Sequence, residues 1–117
     1  MNIINIGIIL IITVSLLMAG CSRVEYFDTK IERVEDNYIE VDCSDEVKNT
    51  GDEDIGYVCF VQITNKTIFR NETGEQLSAQ DYTRNSNIRV ILDNPQYIQK
   101  SKESREIVAK EIILIKQ

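Results

Sequence analysis

The sequence predicts a mainly all-β fold: a small barrel of five or six strands with one short helical turn, preceded by an export leader. Three observations carry this. Beyond residue 21 no helical period is sustained, while short runs that alternate apolar and polar residues recur between clusters of Asn, Asp, Gly and Ser. With 117 residues, one Pro and no internal repeat, the chain is sized for a single compact domain. The closing run Ile112, Ile113, Leu114 and Ile115 is too apolar for an exposed edge, and barrel closure removes that edge.

Each strand has a local reason. The first, over 26–34, is rich in aromatic and β-branched residues and ends at a Glu35, Asp36, Asn37 turn. In the second, 38–43, Ile39, Val41 and Cys43 face one way and Tyr38, Glu40 and Asp42 the other, so one face is solvated. An acidic segment over 44–55 leads to a central third strand at 56–64. There Tyr57, Cys59, Val61 and Ile63 alternate with Val58, Phe60, Gln62 and Thr64. A short strand at 67–70 precedes a turn at 71–74, and Ser78 is placed to cap a single helical turn running to Tyr82. The next strand, 87–93, is expected to stop at Asn94 and Pro95, because proline cannot donate to a ladder. Residues 96–105 are polar and read as irregular or briefly helical, and 106–116 closes the fold.

The first twenty residues hold 14 apolar side chains and no charge, ending in Met18, Ala19, Gly20 and Cys21. An apolar run that ends in small residues reads as an export peptide. Met18 to Cys21 resembles the lipobox of bacterial lipoproteins. In that motif the Cys21 thiol takes the diacylglycerol, and the peptidase needs the small Ala19 and Gly20 to cut between Gly20 and Cys21. The expected organisation is a signal peptide at 1–20, a lipidated N-terminus and tether at 21–25, and a barrel domain at 26–117. Acyl chains on Cys21 would hold the protein on the extracytoplasmic face of the cell membrane. An uncleaved single span and an unlipidated secretory leader are the alternatives.

The layout also resembles the YobA-like domain of unknown function, found in small exported proteins of low-GC Gram-positive bacteria. The resemblance covers roughly residues 27–115. It rests on Thr67, Ile68 and Phe69 before the turn at Gly74, the polar turn from Ser78 to Tyr82, the strand 88–92, and the ending Ala109, Lys110, Glu111, Ile112. A glycine usual in the family falls at Ser86, and its Tyr-Pro pair is missing. The resemblance implies an OB-like barrel and assigns no activity.

Lipidation of Cys21 would leave Cys43 and Cys59 as an even pair, on the apolar faces of adjacent predicted strands. Either they form a disulfide across the hairpin or they are two buried thiols. With no His in the chain, nucleophile–histidine catalysis and the usual zinc and copper ligand sets are absent. Carboxylates remain: Asp42, Asp45, Glu46, Asp52, Glu53 and Asp54 crowd one loop, a composition that suits Ca²⁺ without reproducing EF-hand spacing. Asp45, Asp52 and Asp54 are the candidate ligands. No cofactor is expected.

Charge argues against a nucleic-acid partner. The net charge is −6, and residues 21–63 carry 4 positive and 12 negative groups against 9 and 7 in residues 64–117. That asymmetry suggests strands of opposite sign lying side by side. The expected function is therefore a non-catalytic, membrane-anchored binding module for an envelope or protein ligand. Its candidate face is Tyr38, Tyr57, Phe60 and Arg89, with Tyr26 beside them, the alternative being that these aromatics fill the barrel. The alternative is a calcium- or ion-binding module using loop 42–54.

Overall fold

The structure, a computed structural model, describes residues 23–47 and 56–115. Six strands follow in order: β1 (Val24–Val34), β2 (Tyr38–Asp42), β3 (Val58–Gln62), β4 (Ile68–Asn71), β5 (Asn87–Gln96) and β6 (Glu106–Leu114). Single 3-10 turns lie at Ala79–Asp81 and Glu103–Arg105.

The strand order is β3-β2-β1-β5-β6-β4, and a further pairing of β3 with β6 closes five of the strands into a barrel. β1, β2 and β3 form an antiparallel meander. β1 also pairs antiparallel with β5, and β5 with β6. The closing β3–β6 seam is parallel. This 1-2-3-5-4-1 circuit of barrel strands is the OB arrangement. The sixth strand, β4, runs parallel to the second half of β6, on the same side that β3 borders along the first half.

Period two, reset in β6 by the register shift between Glu111 and Ala109, explains which side chains point inward. Ile39 and Val41 from β2, Cys59 and Val61 from β3, Ile88 and Val90 from β5, and Ile107 and Ile112 from β6 are all buried in one cluster with Ile31 of β1. Ile31 sits where β1 leaves β5 for β2. Its register partner is Val41, while its own N–H donates to the Ser86 carbonyl on the β5 side. One long strand thus serves both halves of the barrel.

Several strand boundaries differ from expectation. β1 begins at Val24, taking in two residues that the sequence reading left in the tether. β5 does not stop at Asn94 but continues through Pro95 to Gln96. The reason is a break in register: Tyr26 faces Ile91 and Val24 faces Gln96, so 92–95 bulge opposite Glu25 and Pro95 occupies a place outside the regular ladder. β2 and β3 are each shorter than expected, ending at Asp42 and Gln62.

The helical turn is built as its residues suggest. The Ser78 hydroxyl accepts from the Gln80 N–H, and Asp81 accepts from the Ser78 N–H at 2.8 Å. The turn delivers Tyr82 into the core, 4% exposed, against Phe69.

Candidate functional site

The outer face of the β2–β3 hairpin is where the sequence-predicted aromatics meet. Because Ile39, Val41, Cys59 and Val61 point inward, Tyr38, Glu40, Val58, Phe60 and Gln62 point outward, each half-buried. In register Tyr38 opposes Gln62 and Glu40 opposes Phe60. The diagonal neighbours Tyr38 and Phe60 therefore meet edge to face, their centroids 6.2 Å apart. β6 extends the surface with Glu106 beside Phe60 and Val108, 44% exposed, beside Gln62.

Two cations border this face. Lys102 Nζ lies 5.5 Å from the Phe60 ring centroid, and the Arg105 guanidinium lies 5.6 Å from that of Tyr57. Arg105 is held there by donating through Nη1 to the Val58 carbonyl at 2.6 Å. Tyr57 itself sits just before β3, on the side of the inward Cys59, and packs partly against the core, so the structure does not bring it onto the face of Tyr38 and Phe60. Lys102 and Arg105 escaped the sequence reading, which took 96–105 as polar and irregular or briefly helical, as the 3-10 turn at Glu103–Arg105 bears out. Three cations in one short segment were the available signal, but nothing in the sequence shows that the segment folds over β3.

Arg89 lies elsewhere. It projects from β5 toward Asp28 of β1, with two hydrogen bonds to that carboxylate at 2.7 and 3.1 Å, and its guanidinium stands 5.2 Å from the Tyr26 ring centroid. The hydrogen bond from Arg89 lowers the Asp28 pKa from its ordinary value. Arg89 and Tyr26 form a separate outer patch and do not join Tyr38 and Phe60.

Cys43 and Cys59 are joined by a disulfide, with Cα atoms 5.7 Å apart. Both are buried. The Cys43 N–H donates to the Tyr57 carbonyl at 2.9 Å and the Tyr57 N–H to the Ser44 hydroxyl, so the bridge is backed by the end of the ladder.

The start of the acidic loop borders a second feature, a concavity of about 440 Å³ between β1 and residues 42–46, lined by Asp28, Glu32, Asp42, Asp45 and Glu46 among others. Asp42 is engaged locally, accepting from the Ser44 N–H and hydroxyl. Burial, and then the charges of Asp45 and Asp28, push the Glu46 carboxyl above its ordinary pKa. Of the candidate calcium ligands, Asp45 is on this rim, whereas Asp52 and Asp54 lie outside the described residues, as do Gly20 and Cys21. Among the described residues no group of three or more His, Cys, Asp or Glu side chains is placed to hold a metal ion, and no helix is long and apolar enough to cross a membrane.

Neither a known protein family, nor a curated protein, nor a solved structure matches the chain.

Proposed function

We propose that the protein is a membrane-anchored extracytoplasmic lipoprotein, held by Cys21, whose barrel is a non-catalytic binding module for an envelope or protein ligand. Membership in the YobA-like exported domains belongs to the same proposal. The observation that carries the binding reading is the outer β2–β3 surface. Tyr38 and Phe60 stay half-exposed there on the outward side of the hairpin, and Lys102 lies over the Phe60 ring. Rigid aromatic rings flanked by cations supply contact area at low entropic cost and recur at binding surfaces. A buried disulfide suits an oxidising compartment beyond the membrane.

Intact mass of the membrane-extracted protein tests the anchor. Cleavage before Cys21, added acyl mass and the two-dalton loss of a bridge are all read in one spectrum, and a chain retaining Met1 without lipid would overturn it. For the binding face, Tyr38→Ala with Phe60→Ala is expected to abolish retention of an envelope fraction by the immobilised protein while leaving the thermal melt cooperative. Undiminished retention would move the site elsewhere.

The second reading is an ion-binding module using loop 42–54, of whose candidate ligands Asp45 lines the concavity beside residues 42–46. Millimolar Ca²⁺ would then raise Tm, since a ligand bound only by the folded state stabilises it. An unchanged melt discards this reading.

A further inference from the structure

β1 changes partner along its length, and the change leaves part of one edge open. Residues 24–30 pair with β5, whereas β2 joins only from Ile31 onward. The Ile31 N–H donates to the Ser86 carbonyl on the β5 side, and backbone groups alternate in direction along a strand. Phe27 and Thr29 therefore turn their N–H and C=O groups toward β5, while Tyr26 and Asp28 turn theirs away. Among the described residues no strand or bridge meets Tyr26 and Asp28 on that side. β2 ends at Asp42, whose carbonyl accepts from the Thr29 hydroxyl, and the chain then turns away through 43–46.

Beside this edge lies the concavity of about 440 Å³ between β1 and residues 42–46. Its charge decides what can enter. Asp28, Glu32, Asp42, Asp45 and Glu46 line it against Lys30, and even with Asp28 paired to Arg89 the excess is negative. A second copy of the chain would set two acidic rims against each other, which like charges oppose. The chain's own segment 48–55 carries Lys48 against Asp52, Glu53 and Asp54, so charge opposes it as well. A strand bearing cations meets neither objection. Glu46, whose carboxyl is already held above its ordinary pKa by burial and then by Asp45 and Asp28, would gain a counter-charge from it.

We infer that the open edge of β1 takes an added strand from an extended cationic peptide. The peptide backbone pairs with Tyr26 and Asp28, and its Lys or Arg side chains meet Asp45 and Glu46. Neither Tyr38 nor Phe60 lines this groove, so the site is separate from the aromatic face and does not depend on it.

The test is residue-resolved amide hydrogen exchange by NMR in the full-length protein, with the peptide Lys-Val-Lys-Val-Lys-Val as the probe. In the free protein the Phe27 and Thr29 amides are expected to exchange slowly and those of Tyr26 and Asp28 fast. With about nine-tenths of the protein bound, the latter two should slow roughly tenfold, since exchange then proceeds from the free fraction. Glu-Val-Glu-Val-Glu-Val should leave them unchanged. Asp45→Asn with Glu46→Gln should weaken the lysine peptide about fivefold, with Phe27 and Thr29 still protected as evidence that the fold is kept. Tyr26 and Asp28 amides already slow in the free protein would give the edge to the chain's own segment, or to a second copy if the slowing grows with concentration. Either result overturns the proposal, as do amides that the lysine peptide does not slow, or an affinity indifferent to the two substitutions.

Discussion

Tyr82 illustrates how one hydroxyl fixes a connection. It is carried into the core by the capped turn, and its hydroxyl reaches the Ile112 carbonyl at 2.7 Å and the Arg70 carbonyl at 3.1 Å, joining the turn to β6 and β4. Burial pushes its pKa from 10.0 up to about 12. In the unfolded chain the phenol ionises near pH 10, while the native state keeps its proton, so between pH 10 and 12 the unfolded state binds fewer protons and stability falls as pH rises. The loss over that window is roughly 2–3 kcal/mol. Tyr82→Phe is therefore expected to cost about 1–2 kcal/mol at neutral pH, from the lost hydrogen bond. It should also flatten the alkaline decline. Urea unfolding of both proteins at pH 8, 10 and 12 measures the two effects together, and an unchanged alkaline slope would assign the decline to other groups. Gly74 raises a backbone question at the same scale. Its φ is +89°, and a Cβ there would meet nothing within 4 Å, so Gly74→Ala isolates the cost of the left-handed conformation. That cost is expected to be about 1 kcal/mol by equilibrium unfolding.

Among the elements, the β2–β3 hairpin carries both the candidate face and the disulfide. The bridge spans a sequence separation of 16, and the chain-entropy estimate for a loop of that size is about 3 kcal/mol. Cys43→Ala with Cys59→Ala should lower stability by roughly that amount, with some further loss from the vacated volume, while the far-UV spectrum stays that of a β protein. A change below 1 kcal/mol would mean that the ladder alone constrains the loop. Much of this hairpin was legible in the sequence. Strict alternation in 38–43 and 56–64 separates the two faces of each strand, and a short-range antiparallel pairing then lets Cys43 and Cys59 converge, whereas the side on which Tyr38 and Phe60 stand is decided only by barrel closure. What was not legible depends on register between distant strands. The bulge that carries β5 past Pro95 arises from its pairing with β1, between the Val24/Gln96 and Tyr26/Ile91 pairs and so far away in the chain, and no local residue marks it. Arg89 was grouped with Tyr38 and Phe60 on residue type alone, whereas the β1–β5 register sets it opposite Asp28. The expected alternation of charge between the two halves is met at this Asp28–Arg89 pair. The Arg33–Glu40 and Arg70–Glu111 pairs each stay within one half. Lys102 and Arg105 reach the acidic half through aromatic rings and a carbonyl rather than through carboxylates.

For the whole molecule, the decisive joint is the seam where the barrel closes. β3 and β6 pair over only three positions, Phe60 with Glu106, Val61 with Ile107 and Gln62 with Val108. Without them the strands would form an open sheet with β3 at one margin, and the face bearing Phe60 would lose its β6 border. Three backbone pairs are a slender connection, so the seam must be held chiefly by the side chains beneath it. Ile107 and Val61 are both fully buried, and they face one another across the seam inside the common cluster. Closure and core formation are consequently one event, and the barrel should unfold as a unit despite its two sheet-like halves. Ile107→Ala tests this directly. The substitution is expected to cost about 2–5 kcal/mol, as for other buried isoleucines whose neighbours relax only in part. Its unfolding curves by far-UV circular dichroism and by tyrosine fluorescence should still coincide, since the tyrosines are distributed over β1, β2 and the loops as well as the core. Separate transitions for the two probes would show instead that the β2–β3 hairpin detaches first. The candidate face would then be an independently opening element, and its affinity for a ligand would depend on how far the seam is closed.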